Sequence, residues 1–455
     1  MKRILAFLLA LAVALPLAAC GGVIPLSNPP APENGGRSGS EKPAALTAAV
    51  YPETPGYPDE ELWDAAKMDA WSKAARDRRA IEVRDLRGLD GFLTASLREF
   101  LGKSGGENRV FSPLNVYMAL AMLAELTDGE SRAQILSLLG SDSVAALREQ
   151  AGALWNKNYR NDGATTSILA ASLWLNQDVR FVQKTLDLLA QAYYASAYQG
   201  RMGTAETDKA LQDWIDEQTG GLLHEQASGL HLDAQTVLAL ATTIYFKARW
   251  TDEFNKNATA PGLFHGASGD KQVDFLHQSH TNTYYWGESF SAVGQGLQSD
   301  GAMWFLLPDE GVTPEALLSD DEAMAFLLGA KYDWADQKYL VVNLSVPKFD
   351  VSSDLGLVEG LRSLGVTDVF DADRSDFSPM TQDADGVYVS QAQHAARVKI
   401  DEEGVEAAAY TVMMMAGAAM PPKDEVDFTL DRPFLFVVTG ADSLPLFVGI
   451  VNSCG

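Results

Sequence analysis

The chain is expected to fold as a single large α+β domain, and three observations carry that expectation. Helical periodicity occupies the first third of the folded region. Short apolar or alternating runs bounded by turn residues occupy the later segments. The two kinds of pattern are mixed without the regular strand-helix alternation that a doubly wound parallel sheet imposes. With 455 residues, 47% of them hydrophobic and 21% charged, the chain has the balance of a globular protein and can bury a sizeable core.

At the N-terminus, Lys2 and Arg3 precede the apolar stretch Ile4 to Ala19, which is too short for a comfortable membrane span and has the order of an export signal. Its end, Leu17-Ala18-Ala19-Cys20 before Gly21-Gly22, resembles the lipobox of bacterial lipoproteins. That resemblance implies a signal peptide over 1–19, cleavage before Cys20, and a lipid on the Cys20 thiol. Residues 21–58 hold eight of the 19 prolines and six glycines, so 20–58 is expected to be a tether with a mean reach of roughly 35 Å. The domain is then expected over 59–455.

Within it, Phe92, Leu93, Leu97, Phe100 and Leu101 fall on one helical face. Val116 to Leu126 reads as a long apolar helix behind Ser112-Pro113, and Ser131 is expected to cap a shorter helix containing Ile135, Leu138 and Leu139. Phe181 to Tyr193 and Ala205 to Gln218 are further helical patterns. Strands are expected at Ser167 to Leu175, Val237 to Phe246, Met303 to Leu307, Tyr339 to Val346, Ala396 to Asp401, Phe434 to Val438 and Leu446 to Val451.

Several function classes are disfavoured. A formal net charge of -26 repels phosphate backbones, so no nucleic-acid partner is expected. The histidines His224, His231, His265, His277, His280 and His394 lie in no nucleophile elbow or metalloprotease motif, and there is no phosphate-binding glycine loop. His277-x-x-His280 has a conceivable metal spacing, but neither a Cys nor a close carboxylate pair completes it. Neither metal nor cofactor is expected, and nothing demands an enzyme. With Cys20 acylated, Cys454 is a spare thiol.

The informative stretch runs from Lys399 to Pro422. A strand pattern leads into Glu402-Glu403-Gly404-Val405-Glu406-Ala407-Ala408-Ala409, then into small and flexible apolar residues with no amphipathic face, ended by Pro421-Pro422. Conflict of this kind between local propensity and any settled element marks a place where function intrudes. The stretch resembles the hinge of the reactive-centre loop in the serpins. Five other segments are similar to serpin signatures in the same order: Asn108-Arg-Val-Phe-Ser-Pro-Leu-Asn115, Ile244-Tyr-Phe-Lys-Ala-Arg-Trp250, Val346-Pro-Lys-Phe349, Arg432-Pro-Phe-Leu-Phe436 and Leu446-Phe-Val-Gly449.

The resemblance implies helices packed around three β-sheets with an exposed reactive-centre loop. It also implies a suicide-type inhibitor that traps a serine, or cysteine, protease as an acyl complex when the cut loop inserts into the main sheet. Family spacing places the cut between Ala418 and Ala419, with Met415 and Met420 as fallback positions, and a small residue there suits an elastase-like or subtilisin-like enzyme. Insertion has a period of two, giving an inward set of Val405, Ala407, Ala409, Thr411, Met413 and Met415. Ser112, Asn115, Thr242 and His394 match the shutter beneath the sheet gap, with an amide and a hydroxyl exchanged between 115 and 242, and Trp250 matches the aromatic where the loop enters. Val405 and Tyr410 depart from the family's usual Thr or Ser and small residue. The expected partners are such a protease and a bacterial membrane through Cys20, with the monomer at the cell surface or outer membrane face. The competing readings are a non-inhibitory binding protein of the same fold and, from another class, a lipoprotein enzyme or transport receptor.

Overall fold

The computed structural model describes residues 43–57, 64–83, 86–298, 300–329, 333–381, 383, 386–405, 422–440 and 443–454. The strands are β1 (Ala44–Thr47), β2 (Arg109–Phe111), β3 (Arg160–Asn161), β4 (Thr165–Asn176), β5 (Ala195–Gly200), β6 (Leu238–Arg249), β7 (Ala260–Gly266), β8 (Gly269–Trp286), β9 (Phe290–Gly296), β10 (Ala302–Pro308), β11 (Gln337–Pro347), β12 (Asp350–Gly356), β13 (Gln393–Lys399), β14 (Gly404–Val405), β15 (Glu425–Thr429), β16 (Phe434–Thr439) and β17 (Pro445–Val451). The helices are α1 (Ala65–Arg79), α2 (Leu86–Phe100), α3 (Pro113–Leu126), α4 (Gly129–Leu138), α5 (Val144–Asn158), α6 (Gln183–Ala192), α7 (Ala205–Gln218), α8 (His224–Ser228), α9 (Pro314–Ser319), α10 (Asp321–Leu327) and α11 (Val358–Ser363).

Among the described residues the strands form three sheets. The first runs β1-β5-β4-β6-β14 with β3 on β4, the second β15-β11-β8-β9-β10-β16-β17-β2 with β7 on β8, and the third is the pair β12-β13. The apolar face of α2 is buried as its periodicity requires. Helix α3 is apolar on every side and lies at the centre of the core; Ser112 caps it by accepting from the Asn115 N–H at 3.3 Å, and Pro113 opens its first turn. Strands β16 and β17 are buried on both faces, which is why they read as continuous apolar runs.

Two expectations need correction. Helix α4 begins at Gly129 behind Asp128, and Ser131 lies inside it, buried, with its hydroxyl accepting from the Asp376 N–H at 3.1 Å. A tertiary bond claimed the side chain that resembled a cap. The tether expected over 20–58 does not run free to its end, because residues 43–57 pack on the domain; those before 43 lie outside the described residues. Strand β1 pairs with the edge of β5, Ala44 opposite Gln199, and the Ala49 N–H donates to Ser196 Oγ at 3.0 Å. Prolines, which cannot donate to a ladder, are tolerated on such an edge.

Tyr51 anchors this segment. Its ring stacks on Trp155 at 5.7 Å and lies against Tyr159 and Tyr194. Tyr51→Ala uncovers that aromatic cluster and is expected to lower stability by about 2–4 kcal/mol. A urea midpoint unchanged by the substitution would show that the segment contributes nothing to the fold.

Candidate functional site

Strands β4 and β6 pair along nearly their whole length, and so do β12 and β13, which leaves β6 and β13 as two facing sheet edges. Between them lies a cavity of about 200 Å³. Leu238 to Thr243 of β6 form one wall and residues 389–395 the other; Val116, Leu120 and Leu123 of α3 close one face and Leu211 and Ile215 of α7 line the site too. The cavity is a slot lined largely by apolar side chains, with Thr242, Thr243 and His394 among the polar ones.

Further along the same edge of β6, beyond the cavity lining, a rung of backbone is already in place. Gly404 lies opposite Arg249, and Val405 opposite Ala248, antiparallel to β6, while Val405 also bridges to Ile400 beyond β13. The chain reaches this position through a tight turn: Asp401 N–H donates to Gly404 O at 3.0 Å, and Asp401 Oδ1 accepts from the Glu403 and Gly404 N–H groups at 2.9 and 3.1 Å. Only glycine fits at 404, because a Cβ there would lie 2.3 Å from the Ala248 carbonyl oxygen. Val405 is buried.

Trp250 clamps the turn from outside. Its backbone N–H donates to Glu403 O at 3.1 Å and its indole Nε1–H to Asp401 O at 2.9 Å, with the fully buried ring edge-on to Phe254. The Phe254 N–H donates to Glu402 O at 2.9 Å. Glu402 Oε1 accepts from Lys348 Nζ and from Thr259 Oγ1, each at 2.7 Å, and Glu403 pairs with Lys256. Burial alone raises the Glu402 carboxyl, but the bonds from Lys348 and Thr259 outweigh it and hold the group below its usual range.

Beneath the middle of the slot, the Ser112 N–H donates to His394 Nε2 at 3.0 Å, which places the ring proton on Nδ1. Asn115 Nδ2 donates to the main-chain carbonyl of Thr242 at 3.4 Å, so the amide bonds the backbone and not the hydroxyl with which the sequence suggested an exchange. Phe111 sits edge-on to the His394 ring at 5.1 Å. Burial lowers the pKa of His394 to about 4 from its ordinary 6.5. The unfolded chain therefore takes up the proton first, and stability falls as pH drops from about 6.5 towards 4, by roughly 3 kcal/mol from this group. His394→Gln keeps an acceptor for Ser112 and should lose most of that slope; urea midpoints with the wild-type pH dependence would sink the assignment.

The structure thus gathers the expected site residues into two clusters. Ser112, Asn115, Thr242 and His394 meet under the slot, and Trp250, Glu402, Glu403, Gly404 and Val405 meet around the rung beyond it. Glu406, Ala407, Ala408, Ala409, Ala418, Ala419 and Cys20 lie outside the described residues. Sequence reasoning passed over Asp401, Lys348 and Thr259; of these only Asp401 left a readable signal, the Asp-x-x-Gly spacing of a side-chain-stabilised turn. His277 bonds Ser345 and His280 bonds Asn282, and no cluster able to hold a metal occurs among the described residues. Cys454 is buried, which pushes its thiol up to about 12 and makes it unreactive.

Residues 89–454 match the family described as Serpin (serine protease inhibitor). The chain belongs to the serpin family. Across 380 residues it is 31% identical to a putative serpin-Z12 of Oryza sativa subsp. japonica, covering 77% of this chain and 86% of that one. It is 29% identical to alpha-1-antitrypsin 1-1 of Mus musculus, covering 80% and 87%. Among solved structures, the native state of the thermophilic serpin Tengpin superposes with a TM-score of 0.73 at 23% identity, covering 91% of this chain and 100% of that one. The serpin fold, mixed α and β with three sheets, is therefore the fold of this chain. Serpins are protease inhibitors and not enzymes, so no catalytic group is assigned.

Proposed function

We propose that this serpin is a suicide inhibitor of a serine protease with a shallow primary pocket, elastase-like or subtilisin-like. The observation that carries this reading is the seated rung: Gly404 and Val405 pair with the edge of β6, Val405 also bridges Ile400 just past β13, and further along the same β6 edge a cavity separates it from residues 389–395. The protease serine attacks the Ala418 carbonyl, the Ala418–Ala419 bond breaks, an ester forms, and Ala419 leaves as a free amine. The segment upstream then inserts as a full strand before water can cleave the ester. Roughly ten newly paired residues at about 1 kcal/mol each release on the order of ten kcal/mol before apolar burial is added, comparable with the roughly 5–15 kcal/mol that holds a protease domain together.

Target class follows from Ala418, since an apolar pocket accepts its methyl group whereas a trypsin-type pocket requires a long cation. The lipobox supports attachment of a lipid to Cys20 and a place at the outer face of a bacterial membrane. Incubation of the soluble domain with pancreatic elastase, followed by a denaturing gel, tests the reading: a covalent complex is expected, and mass spectrometry should find the released peptide beginning at Ala419. Cleavage without any complex would instead make the protein a non-inhibitory member of the family.

A further inference from the structure

Three arginines meet where helix α1 docks on the β3–β4 hairpin. Arg78 and Arg79 come from the last turn of α1 and Arg160 from β3. The Arg160 side chain is 3% exposed, and its guanidinium lies 5.4 Å from the centre of the Trp71 ring. Its Nε donates to Asp162 Oδ2 at 2.6 Å and its Nη1 to the Gln298 main-chain carbonyl at 3.0 Å, but its buried Nη2 has no acceptor among the described residues. The buried Nη2 of Arg78 has none either. The two neighbouring carboxylates are otherwise committed. Asp162 Oδ2 accepts from Trp71 Nε1 as well as from Arg160, and Oδ1 accepts from the Ala164 and Thr165 N–H groups at 3.1 and 2.8 Å, which uses its full acceptor capacity. Asp300 Oδ1 accepts from Arg79 Nη1 at 3.2 Å, while Oδ2 stays 3.7 Å from Arg78 Nη2 and 3.9 Å from Arg160 Nη1, beyond hydrogen-bond reach of both. Three guanidiniums against two carboxylates leave positive charge in excess, in a chain whose formal net charge is -26. Burial, and then the nearness of Arg160, lower the Arg78 guanidinium from its ordinary value, as expected of a cation short of counter-charge.

We propose that Arg78 and Arg160 bind a small oxyanion of the sulfate or phosphate class, which supplies the acceptors that their Nη2 groups lack. A buried charged donor left unpaired is costly, and the planar fork of a guanidinium matches the oxygens of these anions. A tetrahedral oxyanion presents acceptors in more than one plane, which suits two guanidiniums arriving from different elements. Access is from the solvent side, where Arg79 is 52% and Asp300 30% exposed. Bound there, the anion ties α1 to β3 beside Gln298, whose N–H donates at 2.9 Å to the carbonyl of Arg249, the residue opposite Gly404. Arg78 lies outside residues 89–454, so half of the site is built by chain that the family match does not cover. The proposal is independent of the inhibitory reading.

The test is titration calorimetry of the full chain with sodium sulfate, sodium phosphate and sodium acetate, each at one ionic strength set with chloride. One saturable site in the millimolar range is expected for sulfate and phosphate, with acetate weaker. Arg78→Gln removes one of the two unpaired donors and should weaken sulfate binding about tenfold. Arg78→Lys keeps the charge without the fork and should fall between the two. Asp300→Asn removes the carboxylate that competes for the same cations and should tighten binding about threefold; residue 300 has a φ of 66°, which Asn adopts readily, so the turn is kept. Amide exchange over α1 should slow when sulfate is added to the wild type and stay unchanged in Arg78→Gln. Binding that is the same in the wild type, Arg78→Gln and Asp300→Asn would be an adventitious ion only and overturns the site. Absence of saturable binding in the wild type also overturns it, since water would then serve the two donors.

Discussion

Cutting the loop between Ala418 and Ala419 is expected to raise the thermal midpoint of this serpin by tens of degrees. In the described structure Gly404 and Val405 pair with the edge of β6, Val405 also bridges Ile400, and further along the same edge a cavity of about 200 Å³ separates β6 from residues 389–395. On the proposed mechanism, release of the loop is expected to let residues 406–415 extend that pairing and fill the cavity. A large domain shifts its midpoint by about 2–4 °C per kcal/mol, so a gain on the order of ten kcal/mol gives an increase of that size. Ordinary proteins lose stability when nicked. Calorimetry before and after limited elastase digestion checks the result, and an equal or lower midpoint in the cut form would rule out insertion.

The substitution Ala407→Arg should turn the inhibitor into a substrate. In the inserted strand proposed above, counting on from Val405 opposite Ala248 and Ile400 would bring residue 407 between Phe246 and Val398, both buried, where a guanidinium would cost several kcal/mol. Cleavage precedes insertion and should continue at its normal rate, while the yield of covalent complex falls by on the order of a hundredfold. Ala408→Arg is the comparison, because the same count would put residue 408 on the opposite, outward face, where the substitution should cost far less. Equal complex yields from the two variants would show that the period-of-two register is wrong.

Both predictions depend on features legible to different degrees. The elements around the slot could be read directly: α3 from its apolar run behind Ser112-Pro113, β4 and β6 from β-branched and apolar runs, and α7 from its periodicity. Local signals failed where a side chain had a tertiary partner. Ser131 looked like a cap and is instead a receptor for the Asp376 N–H. Residues 43–57 looked like a tether because composition counts prolines and glycines, whereas the stacking of Tyr51 on Trp155 and the edge of β5 become available only once the domain has folded. Helix α1, whose Trp71 donates to Asp162 at 2.9 Å, precedes the region matched to the family and carries no motif that points to it.

By itself the sequence determined the fold class, because helical and strand periodicity are properties of side-chain order along the chain, while its resemblance to the serpin hinge over 402–409 supplied the expected inward and outward sets of the loop. Only the tertiary structure decided that Gly404 and Val405 pair with β6, more than a hundred residues away in sequence, that Asp401 and Trp250 hold the turn there, and that Glu402 answers to Lys348 and Thr259. The physical reason is range. Periodicity and propensity are properties of neighbours along the chain, whereas the register of a strand entering a sheet is set by which backbone groups face it across 4.7–4.9 Å of space.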